Sequence, residues 1–132
     1  MKPVVIDTSL WVQWLRGHFM ESRQALRGRF VWMPSVVAAE LTSGARNRKS
    51  LNALNTLLKP FEQNRRCITL SWEDFRLAGT TLAQLNWKAS PKLGDALIAV
   101  SARKIDAEIW TLNEKDFKPL GRSLDVSVFD PS

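Results

Sequence analysis

The chain has 132 residues, of which 45% are hydrophobic and 24% charged, and this balance indicates one globular domain and argues against disorder. No apolar run approaches the roughly 18–20 residues of a membrane span and no signal-peptide core is present, so we expect no membrane partner. A single cysteine excludes an internal disulfide and suits a cytoplasmic protein, while 19 Lys and Arg against 13 Asp and Glu, a net charge of +6, favour a polyanionic partner.

The predicted elements alternate between strands and helices along the chain. Apolar runs bounded by turn residues predict strands, and apolar residues at helical spacing predict helices. In chain order we predict a strand over 4–7, helices over 10–15 and 20–26, a strand over 29–34, helices over 35–45 and 47–59, a strand over 67–70, helices over 72–85 and 93–105, and strands over 107–112 and 126–129.

Several boundaries carry recognisable signals. Ser35 is a good N-cap for the helix over 35–45, and Pro60 is expected to lie beyond the end of the helix over 47–59. Ser71 with Asp74 three residues later predicts a capping box at the start of the next helix.

This alternation predicts the α/β class, with a mostly parallel sheet covered on both faces and a single domain over 1–132. In such sheets, ligands bind beyond the carboxyl ends of the strands. Asp7, which ends the apolar run Val4-Val5-Ile6, lies at one of those ends.

Three carboxylates interrupt apolar or small-residue contexts: Asp7, Glu40 in a helix expected to be largely buried, and Asp95 in the first turn of "GDALIAV". Each has a structural explanation by itself. Asp7 can cap the following helix, Asp95 gains about 0.3–1 kcal/mol from the helix dipole, and Glu40 can pair with an arginine or face solvent.

Taken together, the three acids indicate a metal site. Buried charges cost several kcal/mol unless they are paired or metal-bound, and the nearest basic residue in these segments is Lys92. Oxygen ligands without a His or Cys cluster favour Mg²⁺ or Mn²⁺, as one or two ions, over zinc. Asn113 and Asp116 follow the strand over 107–112 and are further candidate ligands.

The positive charge is concentrated in one part of the chain. Between residues 16 and 66 there are ten basic and three acidic residues, and such a surface favours nucleic acid, with an acidic protein partner as the alternative. The candidate phosphate-binding residues are Arg16, Arg23, Arg27, Arg29, Arg46, Arg48 and Lys49.

The order of these motifs resembles that of the PIN-domain nucleases, and most of all the VapC-type ribonuclease toxins of toxin–antitoxin pairs. The resemblance extends from residue 4 to about 129 and is carried by "VVIDTSLW", "AAEL", "GDALIAV" and "TLNEKDF". It implies a three-layer α/β/α sandwich, often dimeric, that binds Mg²⁺ or Mn²⁺ and cleaves RNA, with an antitoxin protein as partner.

The resemblance also implies roles for particular residues. Asp7, Glu40 and Asp95 become metal ligands, and Ser9 or Thr8 supports the pocket through hydrogen bonds.

The fourth motif departs from one common form of the family. The position two residues after Thr111 is Asn113 rather than an acid, so that Asp116 is the acid left to complete the site. In the same family context, the basic stretch "SGARNRKS" can hold either the RNA strand or an acidic antitoxin tail.

Two other classes of function remain open. A degenerate PIN-like domain would bind RNA or a protein partner without cleavage. A phosphatase on a doubly wound sheet would need a second Asp two residues after Asp7, where this sequence has Ser9.

Overall fold

In the computed structural model of the chain, residues 1–18, 26 and 28–131 are described. The elements are β1 (Val4–Ile6), α1 (Thr8–Leu15), β2 (Val31–Pro34), α2 (Ser35–Gly44), α3 (Arg48–Gln63), β3 (Cys67–Ile68), α4 (Trp72–Gln84), α5 (Ala89–Lys104), β4 (Glu108–Trp110) and α6 (Glu114–Leu124). The predicted helix over 20–26 lies almost wholly outside the described residues.

The four strands form one parallel sheet in the order β3-β2-β1-β4. The six helices of the described residues flank it, which confirms the α/β/α architecture. Strand β1 is buried along its whole length, as expected of a central strand covered on both faces. Because the strands are parallel, the carboxyl ends of β1 and β4 lie at the same edge of the sheet. There the backbone N–H of Asp7 donates to the Trp110 carbonyl at 3.0 Å.

Helix α5 forms the centre of the core. All seven residues from Ala96 to Ala102 are buried, and a helix that is apolar on every side belongs in a protein interior. Asp95 immediately precedes this buried run. The packing of α5 against β1 and β4 therefore fixes where the Asp95 carboxylate lies.

Three predicted boundaries are wrong. Pro60 lies inside α3, which continues to Gln63, and this extra turn brings the Phe61 ring to 5.8 Å from the ring of Trp11. Pro34, not Ser35, occupies the N-cap position of α2, without a side-chain hydrogen bond. The predicted strand over 126–129 is reduced to a parallel bridge between Val128 and Ile109.

Other expectations are confirmed or extended. The capping box of Ser71 and Asp74 is present at the start of α4. Helix α6 was not predicted: it occupies Glu114–Leu124, a stretch to which the sequence analysis assigned no element.

Candidate metal centre

Asp7 is the most firmly held acid of the described chain. It follows β1, is only 6% exposed, and serves as the N-cap of α1. Its Oδ1 accepts a hydrogen bond from the Ser9 backbone N–H, and its Oδ2 accepts from the hydroxyls of Ser9 at 3.1 Å and Thr111 at 2.6 Å. The capping role foreseen for Asp7 is real, but three donors on a buried carboxylate exceed what a cap requires.

Thr111 is a site residue that the sequence analysis did not identify. It lies one residue beyond β4, is buried, and also accepts a hydrogen bond from the Asn113 backbone N–H at 2.9 Å. Its position just after a strand, at the same edge of the sheet as Asp7, is the signal that could have indicated it.

Glu40 reaches the same region from α2. The residue is exposed, which agrees with the alternative that it faces solvent. Only Val37 and Leu41 of α2 are buried, so the expectation of a largely buried helix was wrong. Its Oε1 accepts a 2.7 Å hydrogen bond from the Thr8 hydroxyl. A methyl group at Gly94 would lie 3.1 Å from Glu40 Oε2, so the absence of a side chain at Gly94 gives this carboxylate room beside α5.

Asp95 lies among the other acids and is half-buried. Burial, followed by the negative charges of Asp7 and Asp116, raises the pKa of Asp95 to about 6; Glu40 adds to the rise and Lys92 opposes it. Three carboxylates from distant parts of the sequence, Asp7, Glu40 and Asp116, thus act electrostatically on Asp95. Among the described residues, no hydrogen-bond donor to the Asp95 side chain is found.

Asp116 is held differently, by a cation. The Lys92 ammonium donates to Asp116 Oδ2 at 2.5 Å, and the Asn113 side-chain amide donates to the same oxygen at 2.9 Å. These two bonds, Lys92 first, lower the pKa of Asp116. Lys92, expected beside Asp95, is therefore the partner of Asp116, and the Asn113 amide supports that carboxylate.

The chemistry of this donor set fits a hard divalent cation, although the side chains as placed do not form a ready ligand sphere. Within the described part of the chain, no three His, Cys, Asp or Glu side chains stand together closely enough to hold a metal ion. Glu40 is engaged by Thr8 and Asp116 by Lys92. The donors are carboxylate oxygens, which Mg²⁺ and Mn²⁺ prefer, and burial, followed by the neighbouring negative charges, raises the pKa of Asp95.

The basic candidates differ in where they lie and in whether they pair with an acid. Arg16 and Glu40 line one cavity of about 410 Å³, together with Ser50 of α3. Arg46, Arg48 and Lys49 are exposed, and neither they nor Arg16 pairs with a carboxylate of the described residues.

Arg29, a further candidate, contributes no free charge to this surface. Arg29 is engaged by Glu108 and by the Lys2 carbonyl, and its guanidinium lies 5.0 Å from the centre of the Phe129 ring. Arg23 and Arg27 lie outside the described residues.

The comparisons with known proteins agree with this architecture. The family model of the PIN domain matches residues 4–122, and the chain belongs to the PIN-domain family. No curated protein sequence matches significantly.

Solved structures share the fold. A chain of VapBC2 from Rickettsia felis, bound to a DNA fragment from their promoter, is 22% identical, with 96% of each chain covered and a TM-score of 0.72. A chain of VapBC-1 from nontypeable Haemophilus influenzae is 19% identical, with 97% of each chain covered and a TM-score of 0.71. A chain of DNA-bound VapBC from Salmonella typhimurium is 18% identical over all of both chains, with a TM-score of 0.71.

A search of the described helices for one long and apolar enough to span a bilayer finds no candidate.

Proposed function

We propose that this chain is an Mg²⁺- or Mn²⁺-dependent endoribonuclease that hydrolyses RNA phosphodiester bonds, and that it is the toxin of a toxin–antitoxin pair. The observation that carries the proposal is the gathering of acids at the end of β1 and the start of the buried run of α5: Asp7 follows β1, and Glu40 lies beside Gly94. Next to Gly94, Asp95 is half-buried, and burial together with three other carboxylates raises its pKa to about 6. A site that gathers acids in this way is suited to a divalent cation. Membership of the PIN family, whose members are generally nucleases, supports the chemistry.

In this proposal Asp7, Glu40, Asp95 and Asp116 hold one or two ions. A bound divalent ion lowers the pKa of water and stabilises negative charge on the phosphoryl oxygens. Thr8 and Ser9 divide the supporting role between them, Thr8 by its hydrogen bond to Glu40 and Ser9 by its bonds to Asp7.

The substrate must be attracted by charges outside the acidic pocket, because the pocket itself repels phosphate. Arg16 is placed for this role since it lines the same cavity as Glu40. Arg46, Arg48 and Lys49 extend the positive surface from the region just after α2 into the start of α3. Cations that neutralise phosphates add affinity that falls as salt rises.

The partners belong to the same proposal. The three solved structures described above are VapBC assemblies, and they support the proposal that this chain has an antitoxin partner. We also propose that the chain forms a homodimer, is cytoplasmic and is a single domain over 1–132.

Cleavage of a total RNA pool tests the function directly. Purified wild-type protein should produce fragments with defined ends, EDTA should abolish cleavage, and excess Mn²⁺ should restore it. Asp95→Asn should reduce cleavage by roughly 10²–10³-fold, on the scale of losing one group that stabilises transition-state charge. Asp106→Asn is the matched control, because Asp106 is exposed and pairs only with Lys2 on the surface.

Persistent cleavage in EDTA, or by Asp95→Asn, would exclude a metal-dependent reaction at this pocket. The second candidate, a PIN-like domain that binds RNA without cleaving it, is favoured by the lack of a ready three-ligand arrangement among the described residues. Binding of RNA by the wild type without any fragment ends would support that candidate. A phosphatase with Asp7 as nucleophile is disfavoured, because the residue two places after Asp7 is Ser9 rather than a second Asp.

A further inference from the structure

Among the described residues, one cation forms an ion pair with an acid of this pocket: the ammonium group of Lys92 contacts Asp116. We propose that Lys92 is a functional residue of this pocket. Its ammonium group neutralises the Asp116 carboxylate and thereby limits the site to one divalent ion. The inference rests on the proposed metal-dependent function and concerns the number of ions that this chain takes up.

The contact between Lys92 and Asp116 is more enclosed than the other lysine ion pairs of the described chain. The Lys92 and Asp116 side chains are 29% and 14% exposed, against 56% and 53% for Lys118 and Glu114 on the outer surface of α6. An ion pair shielded from water is weakened less by solvent and salt than a surface pair. The lysine is therefore a lasting part of the charge distribution in the pocket.

The position of Lys92 on its helix does not explain the residue. Ser90 and Pro91 have non-helical backbone angles, so the regular part of α5 begins at Lys92. A positive charge is disfavoured at the N-terminus of a helix, where the dipole is also positive. What stabilises the ammonium is the group of acids opposite, with Asp116 in direct contact and Asp95 within electrostatic reach.

Lys92 and Asn113 both donate to Oδ2 of Asp116. A divalent ion ligated by that oxygen would have to displace the ammonium or share the carboxylate with it, against the repulsion of like charges. Asp7, Glu40 and Asp95 have no such cationic partner among the described residues. Within the described residues, Asp7, Glu40 and Asp95 are thus open to a divalent ion, whereas Asp116 already has a lysine as its partner.

Counting bound Mn²⁺ tests the inference. Protein stripped with EDTA and dialysed is titrated with MnCl₂ by calorimetry, and the electron paramagnetic resonance spectrum of bound Mn²⁺ is recorded at saturation. We expect one equivalent and the six-line spectrum of an isolated ion for the wild type. Lys92→Met retains an apolar stem beside Trp87, whose ring centre lies 5.5 Å from the ammonium, and should bind two equivalents with the spectrum of a spin-coupled pair.

Two further variants separate charge from structure. Lys92→Arg restores a cation and should return the count to one, and Lys118→Met, which removes a lysine from the surface pair on α6, should leave it at one. Thermal unfolding in EDTA verifies that each variant is folded, and the wild-type count tests the inference even if Lys92→Met does not fold.

Two equivalents in the wild type, or one in folded Lys92→Met, would overturn the role of Lys92 while leaving the proposed nuclease intact. No bound Mn²⁺ in either protein would instead overturn the proposed metal-dependent function.

Discussion

Asp7 and Asp95 belong to one pocket, yet the protein treats the two carboxylates in opposite ways. Asp7 lies at the end of β1, buried, with both oxygens accepting hydrogen bonds. Asp95 lies at the start of the buried run of α5, has no donor to its side chain among the described residues, and has its pKa raised to about 6. Asp7 is therefore part of the folded structure, whereas Asp95 is kept at a cost in stability, as is typical of functional groups.

Replacement of Asp7 by alanine should have the largest effect on stability. It removes the N-cap of α1 and leaves the buried Thr111 hydroxyl without its acceptor. Losses of this kind cost about 1–3 kcal/mol, even though repulsion with Asp95 is relieved. Denaturant unfolding in EDTA measures the change, and Asp7→Asn, which keeps one acceptor oxygen, should lose less. Equal stability of Asp7→Ala and wild type would contradict the structural role.

Replacement of Asp95 by asparagine should have the opposite effect and raise the free energy of unfolding at neutral pH. Because the pKa of Asp95 in the folded state, about 6, is above its ordinary value of 3.8, the folded protein binds this proton more tightly than the unfolded chain does. The contribution of Asp95 to stability is thus fully present below about pH 4 and is lost as the pH rises through about 6. Two pKa units correspond to about 3 kcal/mol, and screening by solvent at this half-buried group reduces the expected gain to about 1–2 kcal/mol.

Unfolding of metal-free wild type and Asp95→Asn across pH 4–8 provides the measurement. The difference between them should grow between about pH 4 and 6 and remain constant above that window. A constant difference at all pH values, or a loss of stability at pH 7, would show that Asp95 is not strained by its neighbours.

Thr111→Val tests how much one hydrogen bond to Asp7 contributes to stability. The substitution preserves shape but removes the 2.6 Å hydrogen bond to Asp7 and the acceptor of the Asn113 N–H. Asp7 retains both bonds from Ser9, so we expect a loss of about 1 kcal/mol. Thr42→Val is a matched control on α2, since the Thr42 hydroxyl is exposed and bonds only to the carbonyl of Ala38. Losses of equal size in the two variants would argue against a special role for Thr111.

Gly94→Ala should have the smallest effect on stability. It places a methyl group next to Asp95 in the chain and close to the Glu40 carboxylate. The added methyl group would lie 3.1 Å from Glu40 Oε2, and a carboxylate at the end of a flexible side chain can move by the few tenths of an ångström required. Alanine also favours the helix by up to about 1 kcal/mol, so stability should be unchanged or slightly higher. We expect Mn²⁺ affinity to fall by roughly tenfold, the scale of losses around metal ligands, and calorimetric titration checks this.

Much of the fold could be predicted because its signals are local. The apolar run of β1, the capping box of α4 and the apolar spacing of α5 act over a few residues. Strand β1 and helix α4 lie close to where they were expected, whereas α5 begins at Ala89, before the predicted start at 93. Helix α6 was missed because Pro119 and Gly121 are poor helix formers, although its buried residues recur at helical spacing: Phe117, Leu120, Gly121 and Leu124. Pro60 was taken as a stop, yet α3 continues past it to Gln63.

For the site, the order of residues was enough to identify the candidate acids and to predict Asp7 at the end of a strand in a parallel sheet. The donor that each acid receives depends on the folded chain: Thr8 for Glu40, Thr111 for Asp7 and Lys92 for Asp116. The two kinds of interaction differ in range along the chain. Periodicity and capping act between neighbours in the chain, whereas a hydrogen bond between Thr111 and Asp7, 104 residues apart, exists only because strand order brings two strand ends to one edge.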